Sequence, residues 1–354
     1  MSRAAVKVSA LFAAATAVIV LSGYCCGHSY PAQSVYGDWS FVENSDGTLT
    51  IVWYNGEDEV IEIPREIRGD TVTAVGQSAF SGCKSAREIV IPESVDYIDR
   101  SAFLNCENLQ RVNIPWGVYF IGGEAFSGCG SLKSIVIPGN VEYLSSGAFK
   151  DCVSLEQVTV YDGAASIGSG AFSGCSSLTG ITLPDSVESV GERAFENCAS
   201  LKNVRWPENA DTIPEYCFSG CGGLEWIELP EGLLYINDMA FDGCVKISRI
   251  ELPASVVGIH SNAFPQSEKL ILHCHKGSYS ESFALEHGYR CWVIDDDVDL
   301  SAGTAVTGEQ EEITVIEEPE QEKNVVVLVI ILCSWVLAAA VVVLCVAIAK
   351  KREN

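Results

Sequence analysis

Nine phenylalanines sit in one register down this chain. They are Phe80, Phe103, Phe126, Phe149, Phe172, Phe195, Phe218, Phe241 and Phe264, each 23 residues after the last. Alanine precedes every one except Phe218, which follows Cys217. A fixed period of this length marks a solenoid, in which each repeat is one coil that cannot bury its apolar side alone. The fold is therefore legible. Function is legible only by class, because the repeats carry no evident chemistry.

One coil runs from Phe103 to Phe126. Its recurring positions are Phe103, Cys106, Leu109, Val112, Ile114, Pro115, Val118, Ile121 and Ala125, and the next coil repeats them from Phe126 through Cys129, Leu132 and Ile135 to Ala148. Val112-x-Ile114 has the alternation of a short strand. Pro115, which lacks an N–H, stops it. Val118 and Ile121 line a second extended segment. A helical or 3₁₀ turn is expected around Ala125-Phe126-Ser127, with the ring wedged inward. The expected fold class is thus a mainly β repeat solenoid, with coils stacked about 4.8 Å apart.

The recurrent Cys-x-x-Leu-x-x-Val-x-Ile-Pro followed by Val-x-x-Ile-x-x-x-Ala-Phe resembles the BspA-like class of leucine-rich repeats. The resemblance covers about Ile61 to Ile294. It implies a leucine-rich repeat surface or secreted protein, some of whose relatives are adhesins that bind matrix proteins or cells. The array ends fit it as well. Ile63 to Val72 resembles the family's first coil, with five extra residues before its Val. Trp39 to Trp53, turning at Ser45-Asp46-Gly47, reads as a hairpin over the first edge. Beyond Phe264, Leu270 to Leu272, Gly277 to His287 and Tyr289 to Ile294 resemble a strand–helix–strand cap. Residues 28–79 are then the N-terminal cap and first coil, 80–266 the array and 267–294 the C-terminal cap. Open sheet edges invite pairing with other chains, so caps have a physical task.

The chain ends suggest a location. Residues 1–27 read as a secretory signal, with basic Arg3 and Lys7, an apolar Ala10 to Leu21 and small Ser22 and Gly23. Lipidation at Cys25 or Cys26 and an uncleaved anchor are the alternatives, although Tyr24 is bulky for a lipobox. Residues 295–324 carry 11 acidic residues and one basic one, the composition of a disordered, self-repelling linker. Val325 to Ala349 is 25 residues without a charge and is expected to be a transmembrane helix, with Lys350, Lys351 and Arg352 following on the cytoplasmic side. Residues 350–354 form a short cytoplasmic tail. The expected localisation is a single-pass cell-membrane protein with its N-terminal part outside.

Of 15 cysteines, eight occupy one repeat position: Cys83, Cys106, Cys129, Cys152, Cys175, Cys198, Cys221 and Cys244. Identical positions point their Cβ atoms in parallel, which suits a disulfide badly. The ladder reads first as buried thiols packing as small hydrophobes; disulfide stapling and metal binding are the alternatives. Cys274 and Cys291, on the two cap strands, are the disulfide candidates. His273-x-His275 would place two rings on one face of a strand, but no ligand spacing supports a metal site. No Gly-x-Ser-x-Gly, His-Glu-x-x-His, phosphate loop or nucleotide fingerprint occurs, so no catalytic residue and no cofactor is assigned. A formal net charge of −25 and the absence of a basic stripe argue against nucleic acid.

Solenoid function lies in the variable columns. One column reads Tyr97, Phe120, Tyr143, Ser166, Ser189, Thr212 and Tyr235, and Trp116 and Tyr119 lie beside its aromatic start. Tyr97, Trp116, Tyr119, Phe120 and Tyr143 are the candidate partner contacts, for a protein or glycan ligand. Tyr and Phe also favour strand surfaces for packing alone. The expected function is a non-catalytic, membrane-anchored, surface-displayed recognition or adhesion protein. The alternative is a structural cell-envelope component whose rods self-associate.

Overall fold

A computed structural model describes residues 33–295 and 304–306. Two ladders of short parallel strands run along a solenoid. The first, before each Pro position, includes Glu88–Val90, Arg111–Val112, Ser134–Ile137, Gln157–Val160, Gly180–Thr182, Asn203–Arg205 and Trp226–Glu228. The second includes Tyr97–Ile98, Phe120–Ile121, Tyr143–Leu144, Ser166–Ile167 and Ser189–Val190. Register is constant. Phe120 pairs with both Tyr97 and Tyr143, and Ile121 with Ile98 and Leu144. Alternation puts Ile98, Ile121, Leu144 and Ile167 in the core and their neighbours outside.

The third side of each coil carries the Ala-Phe pair. The rings form one continuous stack. Phe126 and Phe149 lie 5.1 Å apart and 2° from parallel, and Phe172 and Phe195 lie 5.7 Å apart. Phe103 through Phe241 are fully buried in this column. Aromatics close both ends. Tyr54 stacks on Phe80 at 5.8 Å, while Phe283 and Tyr289 meet Phe264 edge-on at 6.3 and 5.9 Å.

This side is not helical, contrary to the helical or 3₁₀ turn expected. Residues two before and two after the phenylalanine take left-handed backbone. Glu124 (φ 59°) and Gly128 (φ 73°) flank Phe126, and Arg193 (φ 59°) and Asn197 (φ 61°) flank Phe195. The segment therefore turns its alternate N–H groups toward the next coil. Phe103 N donates to Ala125 O at 2.7 Å, and Asn105 N to Ser127 O at 2.7 Å.

The ladder cysteines do more than fill space. Each thiol from Cys106 to Cys244 donates to the carbonyl of the phenylalanine one coil earlier. The Sγ–O distance is 3.1 Å for Cys106 to Phe80 and 3.2 Å for Cys175 to Phe149. The same Phe149 carbonyl also accepts Cys152 N at 3.3 Å. A small side chain with one donor suits this buried acceptor. Alanine would leave its second lone pair empty. Burial pushes the Cys175 thiol up to about 12, which keeps it protonated and inert.

The caps follow the sequence. Ser34–Tyr36, Trp39–Glu43 and Leu49–Tyr54 form an antiparallel meander whose last strand pairs parallel with Asp70–Val75. The five extra residues of the first coil fold as a small hairpin, Glu66–Ile67 against Asp70–Thr71, turning at Arg68 (φ 58°) and Gly69 (φ 95°). Positive φ at both central residues is what a tight hairpin turn needs. At the other end, Ile271–His275 and Arg290–Ile294 pair in parallel around the helix Tyr279–Glu286, whose first turn Ser278 caps through Glu281 N.

Thr304–Val306, within residues 295–324, pairs as a strand antiparallel with Arg290–Ile294. A further expectation is corrected. The fold class also included a C-terminal transmembrane helix. The segment proposed for it, 325–349, lies outside the described residues, as do 1–27 and 350–354. Among the described residues no helix is long and apolar enough to cross a membrane. The described helix, Tyr279–Glu286, has 8 residues, far short of the ~20 a bilayer needs. The fold class is a mainly β solenoid.

Three tests follow from this packing. Phe149→Ala, in mid-stack, should lower stability by about 3–5 kcal/mol in a denaturant titration; an unchanged midpoint would remove the stack from the core. Thiol reagents mapped by peptide should label half-buried Cys83 in the native protein, and buried Cys106 to Cys244 only after unfolding. His273 supplies the third test. It is buried on the cap strand against Trp292, and burial, with Arg249 nearby, lowers its pKa to about 4. The unfolded ring takes up its proton first. The cap's stability should therefore be full above about pH 6.5 and fall as pH approaches 4. Thermal melts across that window should show a smaller decline for His273→Gln than for the unsubstituted protein.

Candidate recognition surface

Each coil has an exposed corner between its two strand segments, where chemistry is free of the repeat. The inward residues there are fixed: Val118, Val141 and Ala164 are buried. The outward ones vary, and in three adjacent coils they are aromatic. Tyr97 stacks on Phe120 with centroids 4.8 Å apart and planes 10° apart. Tyr119 leans on Tyr97 at 6.0 Å. Tyr143 extends the row, in register beside Phe120. Burial and the charge of Asp99 raise the Tyr97 phenol above its ordinary pKa.

Four of the five residues singled out thus lie along one row. Trp116 does not join it. Its ring meets Tyr161 edge-on at 4.9 Å. Tyr161 stands two coils further on, at the position that Pro115 and Pro138 occupy in their own coils. The corner between them is Pro138-Gly139-Asn140, where Gly139 has no side chain to block the contact; a Cβ there would strike the Asp162 carbonyl. Asn140 Nδ2 donates to Trp116 O at 2.7 Å and ties the two corners together. Tyr161 was missed in the sequence. The signal available was the loss of proline after Val160, where the Ile-Pro pattern breaks. Trp116, Tyr119, Tyr143 and Tyr161 are 54%, 53%, 59% and 46% exposed.

The other strand face offers less. Its outward column, Val90, Asn113, Val136, Thr159, Thr182, Arg205, Glu228 and Glu251, is mixed in character. Arg205 is already engaged by Asp185 at 2.9 Å and Glu208 at 3.3 Å. In the C-terminal cap, Cys274 and Cys291, the disulfide candidates, are both free, buried thiols. The pair shares a hydrogen bond, and this together with burial raises the Cys274 thiol well above its ordinary range. Among the described residues no group of three or more His, Cys, Asp or Glu side chains could hold a metal ion.

Comparison with known proteins agrees with the repeat geometry. The family model described as a BspA type leucine rich repeat region matches in 6 copies, over residues 59–165 and 146–271. A crystal structure of a leucine-rich repeat protein from T. pallidum is 29% identical, with a TM-score of 0.46, over 61% of this chain and 90% of that one. A leucine-rich cell surface protein from Faecalibacterium prausnitzii is 25% identical, with a TM-score of 0.36, over 72% and 97%. The pneumococcal vaccine antigen PcpA is 19% identical, with a TM-score of 0.38, over 68% and 81%. A search of curated proteins finds no match. With its repeats in constant register and the family model matching along the array, the chain belongs to the BspA-type leucine-rich repeat family.

Proposed function

We propose that this chain is a non-catalytic recognition protein, displayed outside the cell, that binds a protein partner through the aromatic corner strip. The family to which it belongs supports a binding role in general terms. The observation that carries the specific reading is the strip itself: rings from adjacent coils that hold one another in place, with Trp116, Tyr119, Tyr143 and Tyr161 exposed and Tyr97 and Phe120 partly so. Large rigid aromatics supply contact area at low entropic cost, and anchors of this type dominate most protein interfaces. Export is supported by the apolar start of the sequence.

The test is a binding screen of the full-length protein against matrix proteins, glycans and cell surfaces. It is run beside a variant with Tyr97, Phe120 and Tyr143 replaced by Ser, the residue already present at Ser166 and Ser189 in this column. The variant should keep its circular dichroism and thermal midpoint and lose about tenfold or more in affinity. Full affinity in the folded variant would place recognition on another face. Self-association of the purified protein without a foreign ligand would favour an envelope component instead.

A further inference from the structure

Resting on that reading, we infer that the strip recognises a basic segment of its protein partner, one rich in arginine. The segments that build it, 94–99, 116–122, 139–145 and 161–168, contain four carboxylates and no lysine or arginine. The carboxylates are Asp96, Asp99, Glu142 and Asp162. None forms an ion pair among the described residues. The basic residue next in sequence, Arg100, is turned to Glu124 at 3.6 Å. Asp96 is held beside Asp46 as well, and partial burial with that like charge raises its carboxyl above the ordinary range. Carboxylates without a cation beside them lower their free energy when one arrives.

The rings make the same demand. An aromatic face attracts a guanidinium placed within about 6 Å of its centroid. The chain satisfies this attraction at two other tyrosines. Arg68 lies over Tyr36 at 5.6 Å, and Arg193 over Tyr216 at 4.0 Å. Among the described residues no cation covers a ring of the strip. Arginine fits better than lysine here, because its planar fork stacks on a ring while bonding a carboxylate at the edge. A polyanionic glycan or an acidic peptide would meet only repulsion at this surface.

The experiment measures binding of the full-length protein to four short fluorescent peptides in which serine alternates with arginine, lysine, glutamine or glutamate. The arginine peptide should bind best, about tenfold or more above the glutamine peptide, and its affinity should fall with added salt. Two variants separate the strip from the general acidity of the chain. Asp96→Asn/Glu142→Gln/Asp162→Asn should weaken arginine-peptide binding at least about fivefold and flatten its salt dependence. Glu156→Gln/Glu225→Gln/Glu231→Gln, neutralised elsewhere, should leave it unchanged. Equal binding of the arginine and glutamine peptides would overturn the inference. So would equal losses in the two variants, since attraction would then be non-specific. A protein found in the screen that needs Tyr97, Phe120 and Tyr143 but binds the carboxylate-neutralised variant fully would sink this inference and leave the recognition reading standing. Failure of the Ser triple variant to lose binding would instead remove the strip from recognition, the reading on which this inference rests.

Discussion

The phenylalanine carbonyl is the junction on which the rest of the solenoid depends. From Phe80 to Phe241 it accepts a backbone N–H from the cysteine three residues on, and up to Phe218 it also accepts the thiol of the next coil's cysteine. The first bond closes the turn and the second ties coil to coil. Both are available only if consecutive coils superimpose residue for residue, so an insertion in one coil would break them for its neighbours. The constant spacing of 23 residues is the visible trace of that requirement. The one insertion the array accepts, in the first coil, forms its own hairpin and leaves the register untouched.

The same stacking explains residue choices that have no local cause. Two positions after each phenylalanine from Phe80 to Phe241 the backbone is left-handed, and the column reads Gly82, Asn105, Gly128, Asp151, Gly174, Asn197, Gly220 and Gly243, alternating glycine and a polar residue as far as Gly220. Glycine and asparagine are the residues that tolerate this conformation most readily. Their alternation has a further reason. A side chain at Gly128 would collide with the Asn105 carboxamide, and one at Gly174 with the Asp151 carboxylate. A polar residue therefore fits only beside a glycine, and a column of asparagine alone would not close.

Most of this architecture was legible in the sequence because periodicity reports the buried face. The inward positions and the hairpin over the first edge follow from it; the strand–helix–strand cap, where the period breaks, followed from the family resemblance. What could not be read depends on hydrogen-bond direction or on contacts between columns. The thiols looked like small hydrophobes, because nothing in a one-dimensional pattern shows that a carbonyl one coil away has a second lone pair to fill. The Ala-Phe turn looked helical, because left-handed residues such as Glu124 and Arg193 give no compositional warning. At the candidate surface, register alone gathered Tyr97, Phe120 and Tyr143. The contact between Trp116 and Tyr161 skips a coil and depends on the bare Gly139, so no column contains it.

A scaffold fixed this tightly has consequences for recognition. Every inward residue and most turn residues are committed to stacking, and only the outward columns are free to vary. A binding surface on such a rod must then be assembled from single side chains on successive coils, spaced at about the strand separation of 4.8 Å. Rings suit that spacing, because it approaches the distance at which they stack, as Tyr97 and Phe120 do at 4.8 Å. Stacking holds these rings in place, which on the proposed reading would remove much of the ordering cost of association. On the proposed reading, the solenoid's contribution to binding is rigidity of placement: it would present pre-ordered rings and carboxylates at fixed intervals, and leave the choice of partner to residues the fold does not need.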